Sequence, residues 1–370
     1  MTTNQIYTIV NSAVQQATGD TTLTAIDTQG LVSLGNVVLS SSTNTEAFLN
    51  TLAQRIGRTI YRFRAYNNKF SDMLVSDMEW GAILQKIKVQ MPAATADDMY
   101  NLTDGSSIDH YVVSKPVATQ KLFVTRTPYQ FMITIQRETL KEAFLSEEAM
   151  GAFIALVFGE VRNAIELALE SLGRVTMAAA ISETSQTTQV INLVTDYNAE
   201  TGSSLTAATC AFDKDFLEYA LLRINHIVDA IQDMSVLYND GTTQTFTNRE
   251  NMRIKIFSGF QRRLETAVQY AAFHDQFVSV DGQYSTVNFW QAEDDPMAID
   301  IKKPSDGTAV QIDYIIGVIY DRDAFGIYQV DETVLTTPIN AAGAYYNQFW
   351  HEKQGRFVDT SENLVIFTLN

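Results

Sequence analysis

One cysteine, six prolines and four histidines stand among 370 residues, and each shortage excludes something. Cys210 is alone, so there is no internal disulfide framework and no cysteine-based zinc site. Its expected place is in a core, as a small buried apolar side chain. His110, His226, His274 and His351 are scattered singly, which argues against a histidine-rich metal cluster. No proline-rich linker, repeat or low-complexity block divides the chain, so its domains are expected to be interwoven. Charge is scarce as well, at 19% against about 25% in ordinary soluble domains. It is also lopsided: 26 Lys and Arg face 43 Asp and Glu, for a net charge of −17. That balance excludes nucleic-acid affinity spread over the whole surface, because phosphate binding needs clustered cations. Long hydrophobic runs are missing too. The longest, Met150 to Phe158, is far short of the ~20 residues of a membrane helix and leads into Glu160 and Arg162. No basic, apolar leader opens the chain, whose first basic residue is Arg55. The expectation is a soluble protein of the cytoplasm, or of whatever assembles there, with no membrane contact.

What the chain does have is apolar mass. Hydrophobic residues make up 46% and aromatics 11%, enough for a sizeable core. Its length suggests about two or three domains. Few charges over so much apolar sequence imply surface hidden in permanent contacts between subunits, since obligate interfaces resemble sectioned cores. Residues 1–45 are rich in Thr, Ser, Asn and Gln, and Asp20 and Asp27 are their only charges. Apolar residues are interspersed (Ile6, Ile9, Val10, Leu31, Leu34, Val37, Val38), which fits either an arm ordered by neighbouring subunits or a pair of ordinary edge elements. From Thr45 an amphipathic helix is expected, with Leu49, Leu52, Ile56 and Ile60 on one stripe. The one basic cluster follows: Arg55, Arg58, Arg62, Arg64 and Lys69, with no acid between Glu46 and Asp72. Arg55, Arg58 and Arg62 share a helical face. A solvated face is the bland interpretation; an anionic partner, either a neighbour's acidic surface or packaged nucleic acid, is the sharper one.

Residues 81–136 alternate with period two and predict long ribbon strands, each with one face packed. Ile87, Val89 and Met91 interleave with Lys86, Lys88 and Gln90; Tyr129, Phe131, Ile133 and Ile135 interleave with Gln130, Thr134 and Gln136. Asp104-Gly105 marks a turn within the polar stretch between them. A ribbon of this length protrudes unless another subunit covers it. Ser146 then caps a long helix, with Glu147 and Glu148 in its first turn. Its apolar positions run from Met150 through Phe153, Phe158, Val161 and Ile165 to Leu172. Continuing to about Ala180, it spans roughly 50 Å, about three times the average helix. Along another of its faces Arg162, Glu166, Glu170 and Arg174 recur every fourth residue. Asp213 opens a second helix, Arg253–Phe257 is a buried strand, Ser258 with Gln261 forms a capping box for a third helix, and Ile312–Ile319 and Asn363–Leu369 are further strands.

No standard reactive constellation is present: no G-x-S-x-G, no phosphate loop, no G-x-G-x-x-G, no H-E-x-x-H. His351-Glu352 lacks a second histidine. The acidic groups Asp97-Asp98, Glu293-Asp294-Asp295 and Asp321 with Asp323 fit no Ca²⁺-loop spacing. No catalytic, metal-binding or cofactor-binding residue is assigned, no cofactor is expected, and the protein is expected to be structural, not an enzyme.

The order of parts resembles the major capsid proteins of tailed bacteriophages, the Johnson fold. Ile315–Tyr328, IIGVIYDRDAFGIY, is similar to the family's late strand and its Asp-Arg-Asp-aromatic turn. Tyr345–Trp350, Gly355–Phe357 and Ile366-Phe367 resemble its terminal strands, and Phe48–Asn68, with Arg55-Ile-Gly57, resembles the segment before the protruding loop in capsid proteins of short-tailed phages. The resemblance implies an α+β fold divided as N-terminal arm (1–45), helix entering the P-domain (46–80), E-loop (81–136), spine helix of the P-domain (137–190), A-domain (191–330) and returning P-domain strands (331–370). No immunoglobulin-like domain is expected after Asn370. It further implies hexamers and pentamers closing an icosahedral shell around double-stranded DNA in the virion, with scaffolding, portal and decoration or tail proteins as partners and DNA held without sequence-specific binding. Arg55, Arg58, Arg62, Arg64, Lys86 and Lys88 are the subunit-interface candidates. Some relatives cross-link an E-loop lysine, but nothing marks a reacting pair here. Two other interpretations stay open at this point: an encapsulin-like nanocompartment shell, and an acidic carbohydrate-active enzyme using one carboxylate pair.

Overall fold

The computed structural model describes residues 3–60, 68–75, 84–92, 94, 97–101, 103–109, 111, 113, 115–184, 186–271 and 283–370. In chain order the elements are helices α1 (Thr3–Thr18), α2 (Thr28–Leu39) and α3 (Ser42–Ile60); strands β1 (Leu74–Val75) and β2 (Leu84–Val89); helix α4 (Asp98–Asn101); and strands β3 (Ala118–Phe123) and β4 (Arg126–Gln136). Helices α5 (Arg137–Ala143), α6 (Glu147–Phe153) and α7 (Gly159–Ser182) follow, with a π-helical turn, Ile154–Phe158, joining the last two. Then come β5 (Val190–Asn192), α8 (Leu193–Thr201), α9 (Lys214–Ala230), β6 (Met252–Phe257), α10 (Ser258–Ala271), β7 (Gln283–Val287), β8 (Ile299–Lys302), β9 (Ala309–Ile312), β10 (Ile315–Asp321), β11 (Phe325–Thr336), β12 (Tyr345–Val358) and β13 (Leu364–Thr368). The chain forms two units and passes between them repeatedly: Met1–Trp80, Arg126–Gly173 and Ile327–Gly355 make one, and Gly81–Thr125, Arg174–Gly326 and Arg356–Asn370 the other. Interweaving of this kind follows from the lack of any linker.

The first unit sets helices on a four-stranded sheet of order β1-β11-β12-β4. Long β4 and β12 pair antiparallel from Tyr345 opposite Gln136 to Gly355 opposite Arg126. Of the two alternatives left open for the N-terminal segment, an arm or ordinary elements, residues 3–39 form helices packed on their own unit. Ile6, Ile9, Val10 and Val14 fall on one stripe of α1, and Leu31, Leu34 and Val38 on one stripe of α2, all buried in the unit's own core. The apolar positions sit three or four apart, and the Thr, Gln and Asn between them cover the outer faces. Asp27 caps α2 by accepting from the Gly30 amide at 2.7 Å. As expected, Ser146 caps α6 by accepting from the Ala149 amide at 3.1 Å. The continuous helix from Glu147 to Ser182 buries Met150, Phe153, Phe158, Val161, Ile165, Leu169 and Leu172.

The second unit is built on a five-stranded mixed sheet of order β5-β13-β10-β6-β7. β10 lies antiparallel between β13 and β6 and is buried along its whole length. A near-continuous β-branched and aromatic run suits a strand covered on both faces. Asp213 caps α9 by accepting from the Phe216 amide at 2.9 Å, and Phe216, Ala220, Ile224 and Ile227 face the core as their spacing predicts. Cys210 is buried, and burial pushes its thiol up to about 11. The capping box at α10 does not close, because the Gln261 amide nitrogen donates to Glu265 at 2.8 Å and its oxygen has no hydrogen-bond partner. The polar stretch after Asp281 also forms strands. It contains β7 and the β8–β9 hairpin, whose Ile299↔Ile312 and Ile301↔Val310 pairs were too short an alternation to stand out. Among the described residues no helix is long and apolar enough to cross a membrane.

Candidate assembly surface

β2 and β3 form a two-stranded ribbon, with Leu84 opposite Phe123 and Val89 opposite Ala118. The sequence pattern suggested a longer ribbon reaching Gln136. Instead β4 pairs with β12, eleven residues deep, so the β2–β3 pairing stops at Phe123. Period-two alternation fixes the faces of a strand but not its partner.

The ribbon is inside out. Lys86, Lys88 and Lys121 lie on its inner face, while Ile87, Val89 and Leu122 lie on the outer one, 62%, 57% and 54% exposed. Lys86 and Lys121 stand directly opposite each other, a pairing that like charges disfavour. The turn at Asp359–Glu362 resolves it. Asp359 receives Lys121 Nζ at 2.7 Å on Oδ1 and Lys86 Nζ at 3.0 Å on Oδ2. Glu362 Oε1 takes Lys86 Nζ at 3.0 Å and Lys88 Nζ at 2.9 Å, and Lys121 also lies 3.6 Å from Asp240. Burial pushes the Asp359 carboxyl up, but Lys121, Lys86 and the Ser361 hydroxyl outweigh it and hold the group well below the usual carboxylate range. The Lys86 ammonium is likewise disfavoured by burial, yet Asp359 and Glu362 hold it above its ordinary value. Cations held this firmly fix which face of the ribbon turns inward and leave the apolar face outward. Beyond the strands the apolar exposure continues through Met91, Val117 and Val124, and at the tip through Met99, Tyr100, Tyr111 and Val113. Exposed apolar surface on this scale marks a surface that meets another molecule.

Of the interface candidates, Lys86 and Lys88 therefore stand in these ion pairs. Arg55 and Arg58 lie on α3, and their side chains, with Arg62 and Arg64, lie outside the described residues. The carboxylate groups flagged in the sequence take local roles: Asp97 accepts from the Met99 amide and Asp321 from the Asp323 amide, each at 2.9 Å, while Glu293, Asp294 and Asp295 are exposed. Among the described residues no group of three His, Cys, Asp or Glu side chains could hold a metal ion. Sequence reasoning missed Asp359, Glu362 and Asp240. Their partners are more than a hundred residues away along the chain, and the Asp-Thr-Ser-Glu-Asn run signals only a turn.

Comparison with known proteins decides the family. A family model described as Phi29-like phage major capsid protein matches residues 6–368. The chain belongs to that family. The major capsid protein of Bacillus phage PZA is 22% identical over 366 residues, covering 98% of this chain and 72% of that protein. A capsid structure of Staphylococcus phage Andhra superposes with a TM-score of 0.54 at 10% identity, covering 83% of this chain and 85% of that one. A capsid structure of cyanophage P-SCSP1u gives 0.50 at 13% identity, covering 82% and 89%. The α+β architecture is thus the Johnson fold of tailed-phage capsids. This major capsid protein is a structural subunit of a bacteriophage virion, where it forms the capsid shell.

Proposed function

We propose that this major capsid protein assembles as hexamers and pentamers into an icosahedral shell around double-stranded DNA, and that the β2–β3 ribbon is the E-loop, lying over the adjacent subunit. The observation that carries this reading is the inverted ribbon: an amphipathic hairpin that ties its lysines to its own chain and turns Ile87, Val89 and Leu122 outward requires a second apolar surface to cover them. In this reading α6 and α7 serve as the spine, the α8–α10 region as the A-domain, and β12 as the returning P-domain strand. The net charge of −17 limits adhesion to the packaged genome. Arg55, Arg58, Arg62 and Arg64 make local contacts with a neighbour or with the lumen. Assembly takes place in the host cytoplasm with scaffolding and portal proteins, and the chain performs no catalysis. The test is Ile87→Asp with Leu122→Asp, expressed with the neighbouring phage genes. The expected result is a folded subunit, with unchanged circular dichroism, that fails to form particles. Normal particles from the double variant refute the ribbon's role. Neutralising Arg58 and Arg62 together should likewise impair shell formation more than subunit folding.

A further inference from the structure

The first unit buries a carboxyl group that family membership does not account for. Glu352 lies on β12, 2% exposed, two residues beyond Trp350, whose ring packs on Phe158 of the π-helical turn at 6.2 Å between centroids. Its Oε2 accepts from Gln329 Nε2 at 3.1 Å, and its Oε1 has no hydrogen-bond partner. The same Gln329 nitrogen lies 3.4 Å from Glu332 Oε2, and Glu332 Oε1 receives Arg162 from α7 at 3.2 Å. One guanidinium from the helix, two more acids on β11 (Asp331 and Glu332) and one bridging amide thus face Glu352, while its register partner on β4 is Tyr129. An ionised Glu352 would place a third carboxylate in this group against Arg162, the one cation that the described residues bring to it. A buried, unpartnered oxygen is tolerable only if the group is neutral.

We propose that Glu352 is a proton-held latch: protonated, it lets the long helix seat on the β11–β12 sheet through Arg162, Glu332 and Gln329, and its ionisation loosens that seat. Burial first, then Glu332, push its carboxyl up to about 8, in keeping with this geometry. The direction follows from the folded group binding its proton more tightly than the unfolded one. The latch is complete below the ordinary range near 4.5, is lost progressively as pH rises to about 8, and changes nothing further above that. Glu352→Gln keeps the shape and removes the titration. In denaturant titrations of the full chain, the wild-type folding equilibrium should fall relative to E352Q by about tenfold per pH unit between pH 5 and 7. Parallel profiles over that range overturn the proposal. Infrared spectroscopy supplies a second readout that does not depend on stability. A protonated-carboxyl carbonyl band should persist at pH 7 in the wild type, disappear around pH 8 and be missing from E352Q. Should E352Q not fold, Glu332→Gln removes a neighbouring charge and must shift the band's midpoint to lower pH; an unmoved midpoint overturns the latch.

Discussion

Asp359 ties both strands of the ribbon, through Lys86 of β2 and Lys121 of β3, to one turn. Its carboxylate is fully enclosed and bonded to two lysines that would otherwise repel each other. Asp359→Asn leaves Lys86 and Lys121 facing one another without their shared anion, and losing charge-assisted hydrogen bonds to lysines that stay partly exposed and keep Glu362 and Asp240 nearby costs about 1.5–3 kcal/mol. Urea denaturation should show that loss at neutral pH, with earlier proteolytic cleavage in the ribbon. Because the group is held below the ordinary carboxylate range, its contribution is complete above that range and is lost only as pH falls below it. Wild type and D359N should therefore converge in acid and differ by a constant amount from pH 5 upward; a difference that grows from pH 5 to 8 would contradict the assignment. At this scale the sequence was legible where chemistry is local. The caps at Ser146 and Asp213 act on amides three residues away, so their spacing gives them away. Asp359 was not legible, because nothing near it in the chain points to Lys86.

Among the elements, the long helix was the easiest to foresee, since its apolar period persists over many turns and tertiary context had nothing to override. The π-helical turn at Ile154–Phe158 left no such trace. It sets Phe158 between Phe153 and Trp350, with ring centroids 6.0 and 6.2 Å away. Phe158→Ala is expected to cost about 3–5 kcal/mol by thermal or urea unfolding, through the lost transfer energy and the cavity left behind. β12 makes a different demand. At Gly355 an added Cβ would overlap the buried ring of Tyr328 on β11. Gly355→Ala should therefore destabilise by about 1–3 kcal/mol, an overpacking cost absent at an open glycine such as Gly159. The N-terminal helices were hidden by composition: their stripes are narrow, and the polar residues between them equally suit an arm that gains order on neighbouring subunits. The ribbon misled in the opposite sense, because alternation gives two faces and does not say which one turns inward.

For the molecule as a whole, scarce charge, abundant apolar sequence and absent catalytic motifs already pointed to a subunit whose surface is completed by its neighbours. The order of parts carried the family resemblance. Length and the missing linkers suggested a few interwoven domains, but which segments make each unit was not visible, because one unit's sheet draws its strands from segments hundreds of residues apart. An electron cryomicroscopy map of particles assembled from this chain with its neighbouring phage genes tests the central claim most directly. Closed shells in which a second copy covers Ile87, Val89 and Leu122, with Lys86 and Lys121 still on Asp359, are the predicted result. Shells whose ribbons leave that apolar face in solvent, or a small uniform oligomer under every condition, would contradict the account.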